Sequence, residues 1–548
     1  MVAERSGLPV VSIPKKKIKE FFPGYKVTEV QDMLPYVGLD IEYVDEEEIK
    51  VEYSPNRPDY SSYYGITRSL KGILDMEVGL PAVTIAKNNK NLIEVDDSVS
   101  DIRPFVVAVV AKGCNLDREA ITQLLGMQED LNNGLGRRKN KASVIYHDLS
   151  KVKFPLKYLS VNGNERFGHT SLGQFLEKNE VKKENNLPSS TEKFPVLIDS
   201  SEEIISLGPI IGSENTKFDS QSKDLIVEVT GTNLQTLFDI LAVIVITLSD
   251  MNFSIETVDV NTPVETFSCP NMKNKQIKGI RVSHINKILG LKLTGKEIIN
   301  YLKKSRLDGK SVSTVIDCFV PRYRTDIFRD IDIIEDIGIG YGIFNLGPTV
   351  PLFRESGTRS HNSVLFDKVR QTLIGMGLIE NLNFNLTSKK VQYDLMNLDY
   401  NETNVMEVQG SKSLDRQILR TSLLPSLLES LSHNIHEGYP QRIFEIGKVF
   451  SSLEYPYERW SLGGMVAHED AGYTEIKSIL QTLITIGLGR NFRTVPSPHG
   501  IYIDGRGADS FSEDIKLGNL GEIHPSIIGN FKIRVPIAAF EINLSKIL

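Results

Sequence analysis

Between Pro321 and Gly342 the chain reads Pro-Arg-Tyr-Arg-Thr-Asp-Ile-Phe-Arg-Asp-Ile-Asp-Ile-Ile-Glu-Asp-Ile-Gly-Ile-Gly-Tyr-Gly, which packs five carboxylates into the eleven residues from Asp326 to Asp336 and interleaves them with isoleucines. On a helix Asp332, Glu335 and Asp336 stand at i, i+3 and i+4, so the spacing puts their side chains on one face. Three like charges that close repel, and water, nearby arginines or a hard cation must offset the repulsion. Mg²⁺ takes oxygen ligands and commonly uses one or two carboxylates plus waters. Asp326 lies too far upstream to share the face of one continuous helix, but at the helix start it can fold back toward it. The same pattern also suits a solvated helix face with Ile327, Ile331, Ile334 and Ile337 turned to the core, and acidic residues favoured in a first turn. Spacing leaves both readings open.

The remaining chain is that of an ordinary globular protein. At 548 residues it is long enough for roughly three to five domains, and its 40% hydrophobic and 24% charged content suits several cores. The longest largely apolar run, Ile240 to Leu248, has the length of a buried helix segment or strand rather than a membrane span. Pro9, Pro14 and the Lys15-Lys16-Lys17 run interrupt any signal-peptide core. Cys114, Cys269 and Cys318 are far apart, with neither a CxxC pair nor zinc spacing, which predicts a reduced, cytoplasmic setting. A net charge of −7 argues against a general nucleic-acid coat and leaves a local basic patch open.

Periodicity and punctuation predict an α+β multidomain chain with regions at 1–90, 91–262, 270–350 and 355–548. In the first, Val10 to Ile13 is strand-like, a helix follows near Lys17–Phe22, and Ser54-Pro-Asn-Arg-Pro-Asp59 is a rigid turn with Asp59 as the N-cap of a helix to Gly72. In the second, Phe105–Ala111, Ala142–Tyr146 and Leu225–Thr230 read as strands, Ile121–Leu131 as a helix, and Gly231-Thr-Asn233 leads into a long helix through Asp250. Glu177 to Lys193 reads as an exposed charged loop. The third is predicted to be a small helix-rich domain. One of its helices ends at Gly290, another starts at the Thr294-Gly-Lys-Glu297 capping box, and Ser313–Val320 is a strand. The last carries helices at Val364–Met376 and Leu424–His433, and strands at Arg442–Ile446, Gly463–Ala467 and Ala538–Ile542, as in an antiparallel sheet with helices.

No phosphate loop, nucleophile elbow, HExxH or dinucleotide fingerprint occurs. Gly338-Ile-Gly340-Tyr-Gly342 follows a helix and reads as a C-cap and turn. His433 and His436 stand at i, i+3, a pair without a third ligand. The basic run Arg137-Arg-Lys-Asn-Lys141 suits either phosphate contact or a solvated turn.

Ser54–Asp59, Gly208-Pro-Ile-Ile-Gly-Ser213, Glu228-Val-Thr-Gly-Thr232, Pro321–Gly342, Leu419-Arg-Thr-Ser-Leu-Leu-Pro425, Ile443-Phe-Glu-Ile-Gly447 and Gly521-Glu-Ile-His-Pro525, in this order, resemble the phenylalanyl-tRNA synthetase β subunit of the archaeal and eukaryotic type. The resemblance implies an editing domain at 91–262, a winged-helix-like domain at 270–350 with the acidic segment, and an inactive class II synthetase-like domain at 355–548. It implies a non-ligating subunit that works with an α subunit in an α2β2 tetramer on tRNA(Phe), with ATP used by the complex. The α subunit attaches phenylalanine, and this chain hydrolyses mischarged tyrosyl-tRNA(Phe). It places Mg²⁺, shared with the α subunit, at Asp326, Asp332, Glu335 and Asp336; an all-oxygen site does not separate Mg²⁺ from Mn²⁺.

The editing pocket would include Ser213, Glu228 and Thr230, with His147 as a nearby titratable group. On a strand Glu228 and Thr230 point the same way, so Glu228 can meet a tyrosine hydroxyl or position water. Where the family commonly has a histidine, this chain has Asn132, which cannot act as a general base near neutral pH. The class II core needs Arg-x-Glu in its second motif; in Arg442-Ile-Phe-Glu445 the arginine is one residue too far, which predicts opposite faces. Two other readings are a free-standing nucleic-acid-binding scaffold, carried by 270–350 and the basic run, and a free-standing tRNA editing factor.

Overall fold

The computed structural model describes residues 8–113, 116–162, 166–167, 170–171, 193–351, 356–400, 405–411, 413, 415–451 and 457–547. The charged stretch from Glu177, apart from Lys193 at its end, lies outside them, as does Cys114. The chain divides into two compact units, Met1–Val350 and Pro351–Leu548.

The first unit begins with a three-stranded antiparallel sheet of β1 (Val10–Pro14), β2 (Leu39–Val44) and β3 (Glu48–Tyr53), in the order β1-β3-β2. Two short helices, α1 (Lys15–Phe21) and α2 (Val27–Met33), connect β1 to β2, and α3 (Tyr63–Ile73) follows the proline-rich turn. The cap of α3 is Ser62, whose hydroxyl accepts from the Tyr64 N–H, and not Asp59. Asp59 is instead turned inward, where Arg57 grips it through Nε and Nη2, both at 2.9 Å. Two guanidinium bonds to a buried carboxylate outcompete the single amide bond that capping supplies.

Two larger sheets follow. One orders β4 (Ile85–Ala86), β13 (Ser254–Glu256), β6 (Phe105–Lys112), β12 (Leu225–Gly231) and β7 (Ala142–Asp148). The other orders β11 (Ile211–Gly212), β10 (Ile204–Leu207), β9 (Lys193–Ile198), β8 (Leu156–Asn162), β5 (Leu92–Val95), β14 (Val258–Asn261) and β15 (Thr266–Cys269). Helix α4 (Arg118–Asn133) is capped by Asp117, and α5 (Leu234–Asp250) by Asn233, whose amide oxygen accepts from the Thr236 N–H at 3.0 Å. The apolar run 240–248 forms the middle of α5 and is fully buried in the core that these sheets share. β12 lies between β6 and β7, hydrogen-bonded on both edges, so all seven of its residues are buried.

In residues 275–341 three helices pack on a three-stranded antiparallel sheet. They are β16 (Lys275–Arg281), α6 (Val282–Leu289), α7 (Gly295–Lys304), β17 (Asp308–Val312), β18 (Val315–Val320) and α8 (Asp330–Tyr341), with sheet order β16-β18-β17. Ser313 belongs to the turn between β17 and β18 at φ +57°, which delays the predicted strand to Val315. The Thr294 capping box and the left-handed Gly290 end form as predicted. Gly338 and Gly340 lie inside α8, and Gly342 caps it. A side chain at Gly340 would run into the Tyr301 carbonyl of α7, so this glycine sets how closely the two helices approach.

The second unit is built on a seven-stranded sheet. It orders β19 (Ile379–Glu380), β20 (Gln441–Ser451), β21 (Tyr457–Ala467), β25 (Ile537–Asn543), β24 (Ile515–Ile523), β23 (Tyr502–Ser512) and β22 (Arg493–Pro496). It is antiparallel except for β19, which pairs parallel to β20. Helices α9 (His361–Gly375) and α11 (Tyr473–Thr482) contribute to one core, and α10 (Leu424–His433) and α12 (Pro525–Asn530) to another. α10 ends at His433, so His436 falls in the following turn and the two histidines share no helix face. Among the described residues no helix is long and apolar enough to cross a membrane, and Cys269 and Cys318 are buried free thiols.

Candidate functional site

Antiparallel pairing sets Ile226 opposite His147, Glu228 opposite Ile145 and Thr230 opposite Ser143. Directly opposed residues of a sheet share a face, so His147, Ser143, Glu228 and Thr230 line one side of β7 and β12. Arg103 ties that side together. Its Nε donates to the Thr230 hydroxyl at 3.0 Å, and its Nη2 to the Thr230 carbonyl at 2.6 Å and the Ser143 hydroxyl at 3.0 Å. The 208–213 loop crosses this face. A Cβ at Gly208 would stand 3.0 Å from the Thr230 hydroxyl, and one at Gly212 would meet Ile145 at 2.7 Å and His147 at 3.3 Å. Glycine is what lets the loop lie so near the sheet.

Ser213 enters through its backbone. Its hydroxyl accepts from the Asn215 N–H at 3.3 Å and its carbonyl from the Thr216 hydroxyl at 3.1 Å, while the Thr216 oxygen meets His147 Nδ1 at 2.8 Å. The Ser213 carbonyl also accepts the Thr216 N–H at 3.1 Å, so the Thr216 hydroxyl is free either to donate to Nδ1 or to accept from it, and the ring tautomer follows that choice. Where Nδ1–H donates to Thr216, Nε2 of the neutral ring is an acceptor; where Nδ1 accepts, Nε2 carries the proton. It faces Glu228 Oε1 across 3.8 Å, too far for a direct hydrogen bond. Both residues are 1% exposed, and among the described residues neither His147 Nε2 nor either Glu228 oxygen has a hydrogen-bond partner. Buried polar atoms left this way cost about 1–3 kcal/mol each, so the fold keeps a buried carboxyl and a ring nitrogen that call for a hydrogen-bonding partner.

Asn132 is not part of this face. Its side-chain oxygen accepts from the Val144 N–H at 2.8 Å, on the edge of the sheet that β7 forms, and it is buried there. Arg103, which the motifs in the sequence do not reveal, is a better anchor of this face. Isolated in the sequence, it carried no motif signal; only the fold brings it to Thr230.

The four acidic residues at 326–336 gather, but not on one solvent face. Arg324 holds Asp326 through Nε and Nη2 at 2.9 and 2.7 Å, and Asp336 through Nη1 and Nη2 at 3.0 and 2.7 Å. Burial alone would raise the Asp326 carboxyl; the guanidinium outweighs it and holds that group below the usual carboxylate range. Asp332 caps α8, accepting from the N–H groups of Phe328 and Arg329, both at 2.8 Å. Asp336 is thereby turned into the interior, Ile331 is 47% exposed and Ile333 takes its place in the core. The expected shared face of Asp332, Glu335 and Asp336 with Ile331 inside is corrected on this point: a chelating arginine rotates the helix. Glu335 stays on the surface, where partial burial and then the charges of Asp336 and Asp326 push its carboxyl up. Among the described residues no three such groups are placed to hold a metal ion by themselves. The donors are hard oxygens, and Glu335 stands among like charges, so the chemistry suits a hard cation whose other ligands come from outside these side chains.

In the second unit Arg442 and Glu445 leave opposite faces of β20. Arg442 Nη2 donates to Glu475 on α11 at 2.7 Å, whereas Glu445 is buried on the other face against Arg420 Nη1 at 2.5 Å. The face bearing Glu445 is filled: a Cβ at Gly463 would lie 3.0 Å from Leu427 and 3.2 Å from Leu423. Glu541 lies on this side too, accepting from Ser422 Oγ at 2.5 Å and the Leu423 N–H at 3.1 Å.

Comparison with known proteins agrees with this architecture. Residues 279–343 match the family described as tRNA synthetase B5 domain, and 347–544 match the phenylalanyl tRNA synthetase beta chain CLM domain. The phenylalanine–tRNA ligase beta subunit of Archaeoglobus fulgidus is 32% identical over 546 residues, 98% of each chain. That of Pyrococcus furiosus is 33% identical over 539 residues, 95% of this chain and 96% of the relative. An N-terminal fragment of the phenylalanyl-tRNA synthetase beta subunit from Pyrococcus horikoshii superposes with a TM-score of 0.57 at 28% identity, covering 61% of this chain and 99% of the fragment. With near-full-length identity at this level over a mixed α/β fold of several sheets, the chain belongs to the phenylalanine–tRNA ligase beta subunit family.

Proposed function

We propose that this chain is the non-ligating subunit of a phenylalanine–tRNA ligase and that the face formed by His147, Glu228 and Thr230 hydrolyses tyrosine mischarged onto tRNA(Phe). The observation that carries the editing reading is the buried Glu228 carboxyl facing His147 Nε2, with no hydrogen-bond partner for these atoms among the described residues. Tyrosine and phenylalanine differ by one hydroxyl. A phenol seated there donates its proton to Glu228, whereas a phenyl ring leaves the carboxyl unpaired. A site built to hydrogen-bond a hydroxyl can reject the analogue lacking it by factors on the order of 10⁴. The correct product therefore passes unhydrolysed. Arg103 and the 208–213 loop hold the pocket walls, and water attacks the ester carbonyl. Ser213 contributes through its carbonyl, which accepts from the Thr216 N–H and hydroxyl beside His147 Nδ1.

The division into an N-terminal domain (1–90), an editing domain (91–262), a winged-helix-like domain (270–350) and a class II synthetase-like domain (355–548) belongs to the same proposal. So do an α subunit partner in an α2β2 tetramer, tRNA(Phe) as the shared substrate, and ATP consumed by the α subunit. The split of Arg442 from Glu445 and the leucines over Gly463 support a non-ligating role for 355–548, because Glu445 is tied to Arg420 and leucine side chains crowd the same face. Mg²⁺ would be held at the rim of the acidic cluster by Glu335 with Asp326, Asp332 and Asp336, the partner or water completing its shell; it would supply positive charge where carboxylates crowd.

The test is hydrolysis of Tyr-tRNA(Phe) and Phe-tRNA(Phe) by the ligase complex. Wild type is expected to hydrolyse the tyrosyl ester selectively and Glu228→Gln to lose that selectivity. Equal hydrolysis of both esters by wild type, or none, would sink the editing assignment.

A further inference from the structure

The basic run Arg137-Arg-Lys-Asn-Lys141, ambiguous in the sequence, is built into the rim of the pocket. Arg137, Arg138 and Lys139 adopt φ of 49°, 53° and 68°, three successive non-glycine residues in the left-handed region. That conformation costs L-residues about 1–2 kcal/mol each, and glycine or asparagine would carry it more cheaply. The turn is nonetheless locked. The N–H groups of Lys139 and Lys141 donate to the carbonyls of Asn132 and Gly136 at 3.0 and 2.9 Å, and Arg103 Nη1 donates to the Lys139 carbonyl at 3.2 Å. This is the same Arg103 that holds Thr230 and Ser143. Lys139 Nζ crosses to the Ile210 carbonyl of the 208–213 loop at 3.3 Å. Arg137 and Arg138 are exposed, and among the described residues neither has a carboxylate or hydrogen-bond partner for its side chain. A strained turn that spends its positions on unpaired long cations, in a chain of net charge −7, marks a site for an anion.

We propose that Arg137 and Arg138 are phosphate contacts for the single-stranded 3′ end of an RNA whose terminal ester enters the pocket, an inference that rests on the editing reading above. Arg103 keys the cationic turn to Thr230, and Lys139 to the loop over His147, so strand and ester are held by one rigid frame. The ligand is the ribose-phosphate backbone, read by charge and not by base.

The experiment measures anisotropy of labelled, uncharged tRNA(Phe) binding to the full chain over a salt series, with the transcript intact or lacking its single-stranded 3′ end. The double variant Arg137→Asn/Arg138→Asn keeps residues that tolerate left-handed φ, and Arg137→Lys/Arg138→Lys keeps the charge. Each single-strand phosphate contact contributes about 0.7 to the slope of log K against log salt, so the Asn variant should lower the slope by about 1.4 and, near 0.1 M salt, weaken binding on the order of twentyfold. The Lys variant should stay near wild type. Removing the 3′ end should weaken wild type and leave the Asn variant almost unaffected. Equal binding of both transcripts by wild type, or an Asn variant with the wild-type slope, would overturn the assignment. Because the RNA is uncharged, the outcome is independent of whether the pocket hydrolyses an ester.

Discussion

Replacing Glu228 by methionine should make the protein more stable and the pocket worse. The side chain is of similar length, 1% exposed in the native protein, and among the described residues neither carboxyl oxygen has a hydrogen-bond partner. Removing a buried unsatisfied group recovers about 1–3 kcal/mol, and the near-isosteric thioether leaves little cavity to offset it. At about 1–2 °C per kcal/mol for the 350-residue unit Met1–Val350, thermal unfolding should move up by about 1–5 °C. The same substitution removes the acceptor for a phenol. A hydrogen bond to a charged group is worth about 1.5–3 kcal/mol, so discrimination between tyrosyl and phenylalanyl esters should fall on the order of 10- to 150-fold. Calorimetry on the purified chain and ester hydrolysis by the complex measure the two quantities separately. Lower stability with unchanged tyrosyl-ester hydrolysis would refute the reasoning, since Glu228 would then be holding the fold and not awaiting a ligand. Opposed signs are what a functional site kept at a cost to stability produces.

Other consequences follow from the ion pairs and helix contacts. Arg324→Met strands Asp326 and Asp336 in the interior and should destabilise the first unit by about 3–5 kcal/mol, read as a lower denaturant midpoint; an unchanged midpoint would show that the pair is idle. The folded-state carboxyl of Asp326 titrates below its unfolded value, so its contribution is complete above the unfolded pKa of about 4 and is lost as pH falls through the folded one. Acid titration of wild type should therefore show a stability loss below about pH 4 that Asp326→Asn largely lacks. Gly340→Ala should push α8 off α7 and cost more than the fraction of a kcal/mol that alanine normally gains in a helix; a neutral or stabilised variant would show that the contact can relax. Mn²⁺ titration followed by electron paramagnetic resonance should show a site in the ligase complex that Glu335→Gln weakens, and equal binding by both proteins would remove Glu335 from the cation's shell.

Much of the element order is visible in local sequence because local chemistry decides it. The Thr294 capping box, Gly290 and the apolar run at 240–248 carry their instructions within a few residues, and each forms as read. Where a residue has a distant partner, local reading fails. Asp59 has the composition of a cap, yet Arg57 claims it. Asp332, Glu335 and Asp336 have the spacing of one face, yet Arg324 turns Asp336 inward and sends Ile331 to the surface. Period and punctuation describe what a segment prefers; a guanidinium with two carboxylates in reach outweighs the preference.

The sequence by itself determined the family, through ordered motifs along the chain, and the alternation that puts Glu228 with Thr230 and parts Arg442 from Glu445, because a strand's two-residue repeat needs no partner to be read. Only the tertiary structure brought His147 opposite Ile226, so that its ring faces Glu228, set Arg103 against Thr230 and keyed the left-handed basic turn to the loop over the pocket. These pairings join residues from 71 to 127 positions apart. Their register is fixed by which faces of the sheets are buried, a condition that exists only once the chain has packed.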